Sequence, residues 1–245
     1  MTAIEVKDLH KRYGGTRAVD GVSFTVAAGE TFGLVGRNGA GKTTTVECLV
    51  GLRRPDGGTV RVLGLDPARR RRELAQRVGV QLQESQLPDR LRVAEALRLY
   101  AGLHRAPADW RSVMERWGLE PVRNRSFGDL SGGWKQRLQL ALALVGAPEV
   151  VVLDELTTGL DPVARRDTWE LIGDLKASGT TVVLVSHHLD ETEALCDRVA
   201  VFAAGRIAAL GGPAELVERT GSGSLEQACF ALMEQARAAA REDAR

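Results

Sequence analysis

The chain has 245 residues, 44% of them apolar and 4% aromatic, enough for one large α/β domain or two small ones with a buried core. Its 33 basic and 32 acidic side chains leave a formal charge of +1, which excludes a global field for holding nucleic acid or an anionic membrane, so any such partner must be met locally. The longest apolar stretches, Leu138 to Val145 and Val150 to Leu153, are interrupted far short of the ~18 apolar residues of a spanning helix.

Glu5 and Lys7 break the segment where a secretory apolar region would lie. The odd, widely spaced Cys48, Cys196 and Cys229 read as packed thiols of a reduced, cytoplasmic protein. Along the chain, Ile4 and Val6, then Val22, Phe24 and Val26, then Val60 and Val62 alternate with polar residues, so half-buried strands of an antiparallel layer are expected. Thr31 to Val35 reads as a buried strand entering a glycine-rich turn, and Val46, Leu49 and Val50 follow at helical spacing. Asp66-Pro67 predicts a helix start, and Val78-Gly-Val80 a short strand.

From about Glu84 to Val145 the helical period takes over, with Val93, Leu97 and Tyr100 on one face and Trp110, Val113, Met114 and Trp117 on another. Buried-strand runs return at Val150 to Leu153, Thr181 to Val185 and Val199 to Ala203, with a long helix after Asp161-Pro162. The expected fold is α/β: a core with a mainly parallel sheet, an N-terminal antiparallel layer, and a helical subdomain inserted at about 84–145. Gly221-Ser-Gly-Ser224 reads as a flexible joint. Beyond it Leu225, Cys229, Leu232 and Ala236 form one apolar stripe, expected to dock on the chain's own domain. The division is 1–215 as the main domain and 216–245 as a helical tail.

The chemistry starts at Gly36-Arg-Asn-Gly-Ala-Gly-Lys-Thr43, which fits G-x-x-x-x-G-K-[ST] after a strand and before a helix. In such a loop Gly36, Arg37, Asn38, Gly39, Ala40, Gly41 and Thr44 lie along the phosphates, whose oxygens the backbone N–H groups surround, and the helix N-terminus adds its positive end. Lys42 would reach the outer phosphates, and Thr43 would place its hydroxyl on Mg²⁺. The apolar run Val150 to Leu153 delivers Asp154 and Glu155 to the end of a strand. There Asp154 can hold the metal and Glu155 can orient and deprotonate a water. Gln83, at the junction with the helical insertion, has an amide able to touch the metal or the water. His187 ends the strand after that of Asp154, where an imidazole could bond the outer phosphate, and His188 reads as a bystander. Ser131, Gly132 and Gly133 begin a helix and so make a second anion-binding terminus. The run Arg69 to Arg72 reads as a solvated helix face balanced by Glu73 rather than a nucleic-acid site.

From residue 3 to 215 the sequence resembles the nucleotide-binding subunits of ATP-binding cassette transporters. Leu130-Ser-Gly-Gly-Trp-Lys-Gln-Arg137 is similar to that family's signature, and Gly159-Leu-Asp161 to its dimer-contacting loop. Within the resemblance Tyr13 corresponds to the aromatic that stacks on adenine, Lys42 to the phosphate-loop lysine and Asp154 to the magnesium site. Glu155 corresponds to the catalytic base, His187 to the switch histidine and Gln83 to the glutamine heading the helical subdomain. Trp134 stands where the family usually has glutamine, and Leu156 where it usually has proline.

The resemblance implies an ATPase with ATP and Mg²⁺ as ligands. It implies a head-to-tail dimer, with a second copy or a homologous ATPase subunit, in which Ser131 of one subunit faces the phosphate on Lys42 of the other. A separate polytopic membrane permease would dock near Gln83 to Leu91, holding the chain on the cytoplasmic face of the cell membrane, and the single cassette with Leu91-Arg-Val-Ala-Glu95 resembles the exporter subgroup. No nucleic-acid partner is expected. The rival reading is a soluble cassette ATPase acting on ribosomes or DNA, which normally needs two cassettes or a long coiled-coil insertion. A non-hydrolysing regulator would lack Glu155 or His187.

Overall fold

The computed structural model describes residues 1–82, 86–157 and 160–242. β1 (Thr2–Tyr13) turns through Gly14 and Gly15 into β2 (Thr16–Ala27), and the two pair antiparallel. β3 (Thr31–Gly36) runs through the glycine-rich loop into α1 (Lys42–Leu49), followed by β4 (Gly57–Val62), α2 (Arg71–Leu74) and β5 (Val78–Gln81). The helical segment contains α3 (Val93–Ala101), α4 (Trp110–Arg116) and α5 (Gly132–Leu144). The chain then alternates β6 (Val150–Asp154), α6 (Pro162–Ala177), β7 (Thr181–Ser186), α7 (Leu189–Leu195) and β8 (Arg198–Ala203), and ends with β9 (Arg206–Gly211), α8 (Pro213–Thr220) and α9 (Leu225–Glu242).

Two sheets result. One is antiparallel with order β2-β1-β4, as the period-2 alternation predicts, and it places Ile4, Val6, Val22, Phe24, Val60 and Val62 inward. The other has order β5-β6-β7-β3-β8-β9, parallel except for β9. Its central strands β6, β7 and β3 are buried along almost their whole length because both faces are covered. Val151, Leu153, Val182 and Leu184 enter a core with the helices, whereas Val150, Val152, Val183 and Val185 enter a second core with α1 and the antiparallel sheet. β7 lies between β6 and β3, so three carboxyl ends, at Gly36, Asp154 and Ser186, open on one edge.

Two local expectations need correction. Asp66-Pro67 does not start a helix: the Asp66 carboxylate accepts the Ala68 N–H at 3.0 Å, its carbonyl accepts from Arg69 and Arg70, and α2 begins only at Arg71. Aspartate two residues before an amide closes a turn as readily as it caps a helix. Residues 221–224 form a hydrogen-bonded turn rather than a flexible joint. Gly221 takes φ +63 as the C-cap of α8, the Ser222 N–H reaches the Val217 carbonyl at 3.2 Å, and the Gly223 N–H reaches Gln227 Oε1 at 3.1 Å. The apolar stripe of α9 docks on its own domain, with Leu225, Cys229 and Leu232 buried in the helical-side core. All three cysteines are buried and unpaired. Among the described residues no helix is long and apolar enough to cross a membrane.

Candidate nucleotide-binding site

The loop after β3 needs glycine where the chain presses on its neighbours. A Cβ at Gly41, which takes φ +103, would lie 2.5 Å from the Ala18 carbonyl oxygen, and one at Gly36 would lie 2.5 Å from that of Phe202. The Gly205 N–H donates to the Ala40 carbonyl at 3.1 Å, so β2 and the β8–β9 turn hold the loop from outside. Lys42 folds back inside it. The residue is 6% exposed, and its ammonium donates to the carbonyls of Gly36 at 2.6 Å and Arg37 at 3.3 Å, leaving one of its three donors for a further acceptor. Burial lowers its pKa, against the pull of Glu155 and Asp154.

A cavity of about 340 Å³ opens over this loop, lined by Asn38 to Thr44, Tyr13, Ala18, Asp154 and Glu155. Tyr13 ends β1 and is 42% exposed, its ring flanked by Lys11 Nζ at 5.8 Å and the Arg53 guanidinium at 5.7 Å from its centroid. A flat ligand ring has room to stack there, and the two cations favour an electron-rich face. Asp154, at the end of β6, is 2% exposed. Burial, reinforced by the neighbouring Glu155, raises its pKa to about 6, with Lys42 opposing.

Glu155 leaves β6 in the left-handed region at φ +51, with its N–H on the Val185 carbonyl at 2.8 Å. His187 Nδ1 lies 3.2 Å from Glu155 Oε1, so the two sequence candidates from neighbouring strands meet directly. The turn carrying His187 is anchored underneath. Ser186 Oγ donates to Glu191 Oε2 at 2.6 Å and accepts the His188 N–H at 3.0 Å. Glu191 is fully buried on α7; sequence reasoning missed it, because a lone acid in a helix carries no signal of burial. The His188 ring lies 4.1 Å from that of His187, centroid to centroid.

Other candidates stand apart. Ser131 is the N-cap of α5, exposed and without a side-chain cap bond, and neither it nor Gly132 or Gly133 lines the cavity. The Asp161 carboxylate caps α6, accepting from Val163 and Ala164 at 2.9 and 3.0 Å. Gln83, with Glu84 and Ser85, and Thr158 with Gly159 lie outside the described residues. Trp134 is half-buried beneath the Arg137 guanidinium, which pairs with Asp167 at 2.6 Å. Leu156 is fully buried.

Residues 19–158 match the family described as ABC transporter. Over 223 residues the chain is 45% identical to Nod factor export ATP-binding protein I of Burkholderia lata, an overlap of 89% of this chain and 73% of that protein. The chain belongs to the ABC transporter family. Over 230 residues it is 40% identical to a daunorubicin resistance ATP-binding protein of Streptomyces coeruleorubidus, covering 92% of this chain and 73% of that one. Among solved structures, the ATP-binding subunit of an ABC transporter superposes with a TM-score of 0.85 at 28% identity, covering 94% of this chain and 99% of that one. An ATP-binding cassette in its ADP conformation superposes at 0.80 and 26% identity, covering 89% and 94%. This ABC subunit binds ATP and is an ATPase whose hydrolysis powers transport through a membrane partner.

Proposed function

We propose that two copies of the subunit, or one copy and a homologous ATPase, clasp two ATP molecules between them, and that hydrolysis drives export through a separate polytopic permease. The observation that carries the reading is the separation of two anion-binding helix ends within one chain. α1 meets the cavity that holds Asp154 and Glu155, while Ser131 at the head of α5 is exposed outside it. A second chain arriving head to tail supplies that terminus to the opposite phosphates. Relatives named for Nod factor export and daunorubicin resistance support the direction of transport.

Within the site, Tyr13 carries the adenine, the loop from Gly36 to Thr44 wraps the phosphates, and Lys42 meets the outer ones. The donor set fits Mg²⁺. Thr43 and Asp154 offer hard oxygens, no cluster of three acidic, histidine or cysteine ligands occurs among the described residues, and Mg²⁺ is held by one or two side chains with phosphates and waters. The metal would draw the buried Asp154 into its ionised form and supply positive charge at the phosphates. Glu155 takes the proton of the attacking water, and His187, bonded to it, fixes its direction. Gln83 is assigned to the metal side of the same site on the resemblance alone.

The permease is assigned to a groove of about 360 Å³ beside the helical segment, lined by Val78, Gln81, Leu87, Tyr100, His104 and Leu142 among others. Leu87 contributes to it. Leu91, expected to share the groove, does not line it and packs against the helical-side core. Such docking places the subunit on the cytoplasmic face of the membrane. The test of the catalytic reading is Glu155→Gln, which keeps shape but removes the basic oxygen. Turnover should fall by ~10²-fold or more with ATP binding retained; unchanged turnover of the purified variant would remove Glu155 from the role.

A further inference from the structure

Residues 53–72 contain seven arginines, Arg53, Arg54, Arg61 and Arg69 to Arg72, against two acids, Asp56 and Asp66. That is a local charge of +5 in a chain whose total is +1. Part of it is neutralised. Arg53 pairs with Glu47, Arg69 with Asp66 at 3.6 Å, and Arg70 with Glu73. Asp56 is taken by Lys11 and by the Arg12 N–H, at 2.8 and 2.7 Å. Among the described residues Arg54, Arg61, Arg71 and Arg72 have no ion-pair partner, and all four are exposed.

Arginines from separate elements share one surface here. Arg54 beyond α1, Arg61 on β4 and Arg69 in the turn before α2 line a single open cavity of about 510 Å³. Arg71 joins them through its stem, since a Cβ at Gly51 would lie 3.4 Å from Arg71 Cγ. Leu52, between Gly51 and Arg53, is 41% exposed, an apolar side chain in the same arginine-rich segment. α2 runs directly into Ala75, Gln76 and Val78, which line the groove assigned to the permease. No Phe, Tyr, Trp or His lines the cavity of Arg54, Arg61 and Arg69, so it lacks the stacking platforms that single-stranded nucleic acid needs.

We propose that this surface, Arg54, Arg61, Arg69, Arg71 and Arg72 with Leu52, contacts anionic phospholipid headgroups of the membrane in which the permease sits. The proposal rests on the reading of the subunit as one held at a membrane by its partner. Guanidinium forks match phosphate oxygens in pairs, and several basic side chains near a bilayer add their attractions to anionic lipid. Leu52 would enter the interface between headgroups. The contact orients the subunit so that its groove faces the permease.

The experiment is flotation of the purified full-length chain with phosphatidylcholine vesicles, with and without phosphatidylglycerol, at low and high salt. The bound fraction should rise at least ~10-fold with phosphatidylglycerol and fall at high salt. Joint replacement of Arg54, Arg61, Arg71 and Arg72 by Gln should return it to the phosphatidylcholine level, with ATP turnover unchanged as evidence that the variant folds. Leu52→Asp, made alone, should weaken binding to the charged vesicles. Equal binding to both vesicles, or undiminished binding by the fourfold variant, overturns the proposal. Stabilisation by inorganic phosphate without vesicle binding would assign a soluble anion instead. Lost co-purification with the permease without vesicle binding would assign an acidic permease segment, and either result overturns the lipid contact. ATP turnover on the same preparations reports on the proposed function separately.

Discussion

Glu155 shows how one side chain's role depends on its neighbour's covalent chemistry. Its φ of +51 lies in a region that non-glycine residues enter at some cost, and a proline at 156 would push it towards extended backbone. Leucine leaves that conformation open, and its fully buried side chain ties the residue after Glu155 to the helical-side core. Asp154, one residue earlier, stores strain of another kind. Its pKa rises from 3.8 to about 6 on folding, so between those values the folded chain holds more proton than the unfolded one. Stability therefore falls as pH rises through that window, by at most about 3 kcal/mol, and the deficit persists at neutral pH. Asp154→Asn should accordingly raise the melting temperature of the nucleotide-free protein at pH 8 by about 2–9 °C. The gain should shrink towards pH 4, and Mg²⁺ should no longer add to the protection given by ATP. A lower melting temperature for the variant at pH 8 would contradict this account.

At the scale of elements, the sequence is most legible where one periodicity acts alone. β3, β6, β7 and β8 announce themselves as short apolar runs, and the phosphate loop by its glycines, because a buried parallel strand and a tight phosphate-wrapping turn each admit few residue types. β9 gave no such signal. Arg206 to Gly211 is rich in small residues and relies on antiparallel pairing with β8 rather than on its own side chains. α2 begins later than its aspartate suggested because Asx turns and N-caps share one hydrogen-bond pattern. The outer brace of the phosphate loop by Ala18 and Gly205 depends on contacts distant in the chain, which no local spacing encodes. The docking of α9 was legible in its stripe and makes a measurable distinction along one helix. Leu225 is fully buried whereas Phe230 is 59% exposed. Leu225→Ala should cost about 2–5 kcal/mol of unfolding free energy in urea, the range for a large-to-small core change, while Phe230→Ala should stay within about 0.5 kcal/mol. Equal effects would mean that the tail is held elsewhere.

For the whole molecule, the decisive feature is that the residues proposed to share one nucleotide do not all fall in one place. The sheet order brings Gly36, Asp154 and Ser186 to a common edge, and the cavity there is completed on one side by Tyr13. Ser131 caps an exposed helix end away from it, with its hydroxyl uncommitted to the helix's own N–H groups. A helix terminus of that kind gains from an anion, and its own first turn carries no acidic side chain. ATP bound to one subunit therefore presents negative charge that the α5 terminus of a second subunit can meet, and hydrolysis with loss of phosphate removes the attraction. This predicts nucleotide-dependent dimerisation. The Glu155→Gln protein, expected to hold ATP without turning it over, should sediment as a dimer in saturating MgATP and as a monomer in ADP. Adding Ser131→Glu should abolish the dimer by bringing like charge to the phosphates, while ATP binding to the monomer persists. A monomer in MgATP, or a dimer indifferent to the charge at position 131, would show that the two helix ends do not share a nucleotide.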